Sequence, residues 1–140
     1  MTRMVGTLHR NAYRLSRGRI GGRFGKAPVL LLTTTGRRTG QPRTWPVVYL
    51  DDGDRYLIVA SNAGSDHHPA WYLNLLDQPE VEVEVGGRRE VRVAEPLCVE
   101  DKERAWPRLV AIHPVFDSYR RKTARPIPVI ALTARPQPSA

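Results

Sequence analysis

Apolar and polar residues alternate strictly in the segment VEVEVGGRREVRV, residues 81–93. A period of two residues is typical of a strand with one buried face, and the central glycines predict a hairpin between two such strands. All the valines share one face only if Val83 pairs with Val91, because a two-residue turn would place Glu90 opposite Val83. The pattern therefore predicts a three-residue loop at residues 86–88.

Three further apolar runs of strand length precede this hairpin, and one follows it. They are APVLLLTTT at residues 27–35, RTWPVVYL at 43–50, RYLIVAS at 55–61 and IPVIALT at 127–133. The first three are separated by the turn-prone segments GRRTGQP and DDGD, which predicts an antiparallel meander. Pro46 has no backbone N–H to donate, so we expect an edge or a bulge in the second of these strands.

Helical patterns are fewer than strand patterns. AWYLNLL predicts a short helix after the exposed loop NAGSDHHP, and residues 99–122 predict helical pieces interrupted by Pro107 and Pro114. About six antiparallel strands with few helices favour a small closed or half-closed barrel of the mainly β, α+β class. We expect three parts along the chain: a basic helical lead at residues 1–25, one domain at residues 26–135 and a tail at residues 136–140.

The distribution of charge along the chain indicates what kind of partner the protein binds. The chain of 140 residues has a formal net charge of +8, and residues 1–50 contain ten lysines and arginines but no acidic residue. Such an excess indicates an anionic partner: nucleic acid, an anionic lipid surface or a multiply charged small molecule. Nucleic-acid modules usually combine positive charge with exposed aromatic residues, and residues 1–23 contain only Tyr13. We therefore expect no nucleic-acid partner.

The sequence also indicates a cellular compartment. No apolar run approaches the roughly 20 residues that a membrane span needs, and the N-terminus lacks the apolar region of a secretory signal. The single cysteine, Cys98, cannot form an internal disulfide, and we expect it to be a small buried side chain. These features predict a cytoplasmic protein, with residues 1–20 as a basic segment for peripheral attachment to an anionic membrane face.

The segment TTTGRRTGQPR, residues 33–43, is the candidate anion site. A turn between two strands can direct several backbone N–H groups at one point, and its glycines allow a ligand to approach closely. Arg37, Arg38 and Arg43 add guanidinium groups suited to phosphate or carboxylate, and Thr39 adds a hydroxyl. The alternative is a solvated hairpin tip that binds nothing. The glycine motifs of Walker loops and dinucleotide-binding folds are both absent.

Other clusters of reactive side chains are weaker candidates. His67 and His68 follow Asp66, but the sequence offers no further ligands at the spacing of a zinc site, so no metal is expected. Ser61, Asp66 and His67 lie too close in sequence to be taken as a catalytic triad.

The order of these segments resembles the deazaflavin-dependent nitroreductase family, split-barrel proteins of actinobacteria that use coenzyme F420. The resemblance is carried by LLTTTGRRTGQPRTWPVVYL, LIVASNAGSDHHPAWYLNLLDQPEVEVEV, RLVAIHPVFDSY and RPIPVIAL, and spans roughly residues 26–133. It implies a split β-barrel of about six antiparallel strands with a few short helices. It also implies an oxidoreductase that transfers a hydride from reduced coenzyme F420 to a quinone, an enone or a nitroaromatic compound.

The resemblance also suggests the anionic partner. Coenzyme F420 carries a phosphate and a tail of several glutamates, which matches the basic front of the chain better than FMN, with its one phosphate. The oligomeric state stays open between a monomer and a homodimer. Two other functions stay open as well: a non-enzymatic split-barrel protein that binds F420 or a flavin, and a binder of anionic membrane or nucleic acid.

Roles for individual residues follow from the same resemblance. It implies contacts with the phosphate and the start of the tail for Arg37, Arg38, Thr39 and Arg43. The resemblance implies that two strand segments border the deazaflavin ring and ribityl chain: Thr44, Trp45, Pro46, Val47 and Val48 in the first, and Val59, Ala60, Ser61 and Asn62 in the second. It also implies that the short helix closes the site with Trp71, Tyr72, Leu73 and Asn74.

The segment HPVFDSY is implied to cover the ring and the acceptor. Nitro-reducing relatives present three tyrosines there, whereas this chain has His113 and Phe116 at two of the positions and keeps Tyr119. The candidate catalytic donors are Tyr119, Ser61 and a protonated His113, and Phe116 supplies an apolar ring. The alternative for His113 is a residue that only caps a helix before Pro114.

Overall fold

The structure, a computed structural model, describes residues 23–24 and 27–135. The strands in this part of the chain are β1 (Arg23–Phe24), β2 (Ala27–Thr35), β3 (Pro42–Asp51), β4 (Arg55–Val59), β5 (Glu80–Val85), β6 (Arg88–Pro96) and β7 (Val129–Ala134). A 3₁₀ turn covers Asn62–Gly64, and the helices are α1 (Ala70–Asp77), α2 (Val99–Ile112) and α3 (Val115–Lys122).

Six of the strands close into an antiparallel barrel. Their order is β2-β3-β4-β7-β6-β5, and the pairing of β5 with β2 completes the circle. This arrangement confirms the predicted barrel and the meander of β2, β3 and β4. The two-residue strand β1 pairs with the start of β2, so residues 23–24 are extended, whereas the predicted lead was helical. The rest of that lead and the tail lie outside the described residues.

Alternation along the strands separates two apolar clusters. One fills the barrel and takes side chains from all six of its strands, with Trp71 and Leu75 of α1 packed among them. The other lies on the outer face, where Trp106, Leu109 and Phe116 of α2 and α3 cover strand residues such as Val48 and Val59. The two helices therefore cover one outer side of the barrel, while α1 packs against its interior cluster.

The register of the β5–β6 hairpin differs from the prediction. Val83 pairs with Glu90 and Val85 with Arg88, so Gly86-Gly87 forms a two-residue turn. Both glycines have positive φ angles, 58° and 84°, and this is the backbone that the favoured two-residue hairpin turn requires. The predicted pairing of Val83 with Val91 was wrong, because the turn geometry outweighed the gain from placing the β6 valines on the buried face.

Arg92 explains how β6 tolerates this register. Its side chain, on the face where valine was expected, is only 9% exposed. The guanidinium group donates hydrogen bonds to the carbonyl oxygens of Leu132 and Asp54 and to the Glu90 carboxylate, and it lies 4.5 Å from the ring centroid of Tyr56. A buried charge that is paired and hydrogen-bonded can be tolerated in a core position.

Two other local predictions were wrong. Pro107 lies inside the continuous helix α2 and does not interrupt it. The roughly 3 kcal/mol that an interior proline costs is offset by burial of Trp106 and Leu109, each worth about 1.5–3 kcal/mol. Cys98 is exposed at the start of α2, not buried. None of the described helices has the length and apolar character needed to cross a bilayer.

Candidate active site

A gap in the barrel wall positions the cavity. Residues 42–48 of β3 pair with β2, while the pairing of β3 with β4 begins only at Tyr49. In the part of the chain that the structure describes, no strand pairs with the other edge of this half of β3; we call it the free edge of β3, and it confirms the edge expected at Pro46. A cavity of about 490 Å³ borders this edge, a size within the usual range for sites of small molecules and cofactors.

Four segments that are distant in sequence form the cavity wall. They are the free edge of β3, the end of β4 with the 3₁₀ turn, the start of α1 and the junction of α2 with α3. The lining residues are Trp45, Pro46, Val47, Val48, Val59, Ser61, Asn62, Ala63, His68, Pro69, Ala70, Trp71, His113, Phe116 and Tyr119.

Most of the residues predicted for the ring and the acceptor lie on this wall. All three candidate donors line it, with Phe116 and the predicted segments of β3 and β4. The predicted residues that do not line it are Thr44, Ala60, Tyr72, Leu73, Asn74 and the four residues of the basic turn. The sequence reasoning missed four lining residues: Ala63, His68, Pro69 and Ala70. The loop NAGSDHHP contains three of these; it was predicted to be exposed, with Asn62 as its one predicted cofactor contact.

The basic turn between β2 and β3 is compact. The N–H of Gly36 donates to the carbonyl of Gln41, and the N–H of Gly40 donates to the carbonyl of Gly36, both at 2.8 Å. A Cβ atom on Gly36 would lie 2.9 Å from Thr39 Oγ1 and 3.1 Å from the carbonyl oxygen of Gln41. Gly36 is therefore required by close packing, and Gly40 by its φ of 70°.

The arginines of this turn are available to a ligand. Arg37 and Arg38 are exposed and Arg43 is half-buried. Among the described residues, no carboxylate forms an ion pair with any of the three. Arg43 Nη2 contacts Thr39 Oγ1 at 3.4 Å. Guanidinium groups that no carboxylate of the described residues neutralises are suited to phosphate and carboxylate groups of a ligand.

The loop after β4 has an unusual backbone. Asn62 and Ala63 have φ angles of 46° and 54°, in the left-handed region that residues other than glycine rarely adopt. Gly64 follows with a φ of 79°, and a Cβ atom there would lie 3.2 Å from the Cα of Tyr119. Such conformations persist where the surroundings fix them, and they are concentrated at functional sites. Here they bring the loop against α3.

Arg125 is the side chain that holds this loop. Its guanidinium group donates to the carbonyl oxygens of Ser61 and Ser65 at 2.8 Å and to that of Ala60 at 3.3 Å, and it contacts His68 Nδ1 at 3.2 Å. Sequence reasoning missed Arg125 because it lies about sixty positions after the residues it binds, and no local motif marks it.

His113 lies where the two helices meet. Its N–H donates to the carbonyl of Leu109, and its own carbonyl accepts from the N–H of Phe116. Its ring packs edge-on against Phe116 with 4.9 Å between centroids, and it lines the cavity. Burial lowers the pKa of His113 below its ordinary value of 6.5. His113 therefore ends α2 and also reaches the cavity, as a neutral imidazole at neutral pH.

The donor set of the cavity fits a flat, oxygen-rich ring. Trp45, Trp71 and Phe116 give it broad apolar walls. Ser61 and Tyr119 add a hydroxyl group each to the residues that line the cavity, and His68 and His113 add imidazole rings. A deazaflavin ring carries carbonyl oxygens that accept hydrogen bonds from such groups, so the residues present fit this cofactor.

Known proteins identify the class and then the family. The solved structure of an F420H2-dependent reductase, FDR-A, superposes with a TM-score of 0.69 at 36% identity, covering 75% of this chain and 93% of that one. A solved domain-swapped dimer gives a TM-score of 0.71 at 31% identity, covering 92% and 98%. The chain is thus a split-barrel reductase. Residues 6–134 match the model of the F420H2-dependent quinone reductase family, and the chain belongs to that family.

A curated relative agrees with this assignment. An F420H2-dependent quinone reductase of Mycobacterium tuberculosis is 45% identical over 133 residues, which cover 91% of this chain and 89% of the relative. The protein is therefore an oxidoreductase whose cofactor is reduced coenzyme F420. These findings confirm the fold, the cofactor and the enzyme class that the sequence resemblance implied.

Proposed function

We propose that this protein reduces quinones to hydroquinones in the cavity beside the free edge of β3. The observation that carries the proposal is that one cavity is lined both by aromatic side chains, which suit a flat acceptor, and by the hydroxyl-bearing residues Ser61 and Tyr119. When bound, reduced coenzyme F420 supplies a hydride. The quinone takes up this hydride and one further proton, and the protein's own groups control where that proton comes from.

Tyr119 is the proposed proton donor, and Ser61 is a proposed hydrogen-bond donor. Both line the cavity, Tyr119 from α3 and Ser61 from the short link between β4 and the 3₁₀ turn. A donor aimed at a quinone oxygen stabilises the negative charge that develops there during reduction. Replacement of Tyr119 by Phe should lower kcat with a smaller effect on KM, whereas replacement of the exposed Ser118 on the same helix by Ala should change neither.

For His113 we propose a role other than proton donation. If a protonated His113 gave the proton, activity would fall as the pH rises through its pKa. Burial lowers that pKa below 6.5, so a fall above neutral pH is not expected. We propose instead that His113 contacts the acceptor as a neutral ring and shapes the cavity with Phe116.

The basic turn would hold the anionic part of the cofactor. Arg37, Arg38, Thr39 and Arg43 are the proposed contacts for the phosphate and the start of the glutamate tail. The support is their lack of carboxylate partners among the described residues and the turn's attachment to α1, the helix that carries Trp71 to the cavity. Thr44, Tyr72, Leu73 and Asn74 then act behind the wall, as supports and not as contacts.

Residues 1–20 are proposed to attach the protein peripherally to anionic membrane. The support is their charge alone, since they contain five arginines and no acidic residue and each basic residue near an anionic surface contributes about 1 kcal/mol. Sedimentation with anionic vesicles should be lost when residues 1–20 are deleted. Equal sedimentation with neutral vesicles would contradict an electrostatic attachment. Light scattering of the purified protein without vesicles would measure whether it is a monomer or a homodimer.

One experiment tests the central proposal. The purified protein is titrated side by side with oxidised coenzyme F420 and with FMN, and then mixed without oxygen with reduced F420 and menadione while oxidised F420 is followed by absorbance. We expect tighter binding of F420 than of FMN and quinone-dependent oxidation. Binding of F420 without turnover of any quinone, enone or nitro compound would contradict the proposal and favour a non-enzymatic binding protein.

A further inference from the structure

His68 lines the cavity and is held at one ring nitrogen by Arg125. Arg125 Nη1 lies 3.2 Å from His68 Nδ1. A guanidinium group has only N–H donors and no acceptor, so Nδ1 must accept this hydrogen bond through its lone pair. A neutral imidazole with its lone pair at Nδ1 carries its proton at Nε2. The contact therefore fixes the tautomer of His68.

Arg125 also keeps this ring neutral. A proton added at Nδ1 would face the guanidinium N–H and place a second positive charge beside it. Arg125 cannot easily turn away, because the carbonyl oxygens of Ser61 and Ser65 accept two of its other N–H bonds. The nearest acid in the loop, Asp66, accepts a hydrogen bond from Thr123. In agreement, burial and the charge of Arg125 lower the pKa of His68.

The opposite side of the ring is free for a ligand. The ring of Tyr72 contacts that of His68 with 4.7 Å between centroids and 46° between the ring planes, which restricts rotation of the imidazole. Among the described residues, no protein group accepts a hydrogen bond from His68 Nε2. The ring is thus constrained by the hydrogen bond from Arg125 and by its contact with Tyr72, and its Nε2–H donor is available to a ligand.

We propose that His68 presents Nε2–H as a fixed, neutral hydrogen-bond donor to a carbonyl oxygen of the ligand in the cavity. That oxygen belongs either to the deazaflavin ring or to the quinone, and this choice of ligands rests on the proposed function. Arg125 is the positioning residue, since it sets the tautomer without touching the ligand. The neutral donor stabilises negative charge on the oxygen and does not give up its proton.

A matched pair of variants tests this role. The side-chain amide of Gln reaches approximately to the position of Nε2, whereas that of Asn reaches only to the position of Nδ1. We expect His68→Asn to weaken either F420 binding or kcat/KM for menadione by roughly three- to tenfold, the effect of losing one hydrogen bond. His68→Gln should keep most of the wild-type value. His67→Asn is the control, because His67 is exposed in the same loop and does not line the cavity.

The measurement that changes, cofactor binding or quinone turnover, identifies which ligand supplies the oxygen. If His68→Asn has a larger dissociation constant for oxidised F420 in a fluorescence titration, the hydrogen bond is made to the cofactor. An unchanged dissociation constant with a reduced kcat/KM for menadione assigns it to the quinone. Equal behaviour of the Asn and Gln variants, whether both are impaired or both are intact, would overturn the proposal.

A second readout is independent of turnover. Long-range ¹H–¹⁵N NMR of the protein without cofactor should show His68 protonated at Nε2 and unprotonated at Nδ1, and Arg125→Met should abolish this preference. A proton at Nδ1 in the wild type would overturn the proposal. If the wild type reduces no quinone, the proposed function fails, yet the tautomer and the F420 titration still decide the role of His68.

Discussion

The side chain of Asn74 joins the basic turn to the helix that borders the cavity. Its Oδ1 accepts a hydrogen bond from the N–H of Arg37 at 3.1 Å, and its Nδ2 donates to Thr34 Oγ1 at 3.1 Å. Asn74 is only 5% exposed, so these bonds are shielded from water. The basic turn and α1 are therefore joined directly by hydrogen bonds, although 37 positions separate Arg37 from Asn74 in sequence.

Removal of this link should affect both stability and cofactor binding. Asn74→Ala leaves the N–H of Arg37 and the hydroxyl of Thr34 without their partner, which should lower the free energy of unfolding by about 1–3 kcal/mol. Urea unfolding measures this change, and fluorescence titration with F420 should show weaker binding from the displaced turn. The control is Gln78→Ala, since Gln78 is an exposed amide at the end of the same helix. Normal affinity in a folded Asn74→Ala protein would show that the turn does not depend on this contact.

The arginines of the turn should contribute directly to affinity. Arg38→Ala should weaken F420 binding by about 1.5–3 kcal/mol, as for hydrogen bonds to charged groups, and the affinity of the wild type should fall with added salt. Arg88→Ala is a matched control, because Arg88 is an exposed arginine at the tip of a different hairpin. If replacement of Arg37, Arg38 and Arg43 together leaves the dissociation constant unchanged, the phosphate lies elsewhere.

Asp52 should make stability depend on pH. Its carboxylate accepts hydrogen bonds from Arg108 Nη1 at 2.7 Å and from Arg55 Nε at 2.8 Å, which tie the β3–β4 turn to α2. The hydrogen bond from Arg108 and then that from Arg55 lower the pKa of Asp52 below its ordinary value of 3.8. A lowered folded-state pKa gives stability that is present above pH 3.8 and is lost as the pH falls through the folded value.

The corresponding variant has a defined expectation. Asp52→Asn should lower the free energy of unfolding at neutral pH by about 0.5–1.5 kcal/mol, a modest value because both arginines are partly exposed and the pair is screened. The difference from wild type should shrink in acid, below the folded-state pKa. Urea unfolding of both proteins at neutral pH and in acid measures the difference in the free energy of unfolding. Asp51→Asn is the control, because Asp51 is the neighbouring exposed carboxylate. A difference that does not change with pH would exclude titration of Asp52 as the cause.

The sequence predicted the strands and the site segments because those depend on local patterns. The run APVLLLTTT coincides with β2, and the resemblance brought the β3 and β4 segments and HPVFDSY to one cavity. The register of the β5–β6 hairpin was not predictable from alternation, because the apolar pattern and the Gly86-Gly87 turn conflicted. As a result of the observed register, Arg92 lies at a position on the buried face where an apolar residue was expected.

Long-range polar contacts were the other failure. Arg125 carries no motif, and its importance comes from carbonyl oxygens that only the folded loop presents to it. His68 was judged as a metal ligand or a surface residue, because its alignment with Arg125 and Tyr72 exists only in three dimensions. Buried hydrogen-bond networks of this kind depend on distances of a few tenths of an ångström, which a residue pattern does not encode.

The choice of acceptor should depend on His113 and Phe116. Reduction of a nitro group places charge on two oxygens that need donors in the transition state, and two of the three phenols that nitro-reducing relatives present are absent here. Hydride transfer to a quinone develops negative charge on one carbonyl oxygen, so a single donor is enough, and Tyr119 or Ser61 can supply it from the cavity wall. We therefore expect a higher kcat/KM for menadione than for bulky bicyclic nitroimidazoles.

The variant that restores the phenols should shift this preference. His113→Tyr combined with Phe116→Tyr should raise the ratio of nitroimidazole to menadione kcat/KM by roughly tenfold, as expected for the added hydrogen bonds to a charged oxygen. Because Phe116 is buried against Trp106, thermal unfolding must show that the variant still folds. His113→Phe separates ring shape from hydrogen bonding and should leave the pH dependence of menadione reduction unchanged, since His113 is neutral over the working range. A wild-type protein that reduces bicyclic nitroimidazoles faster than every quinone tried would show that these two positions do not decide specificity.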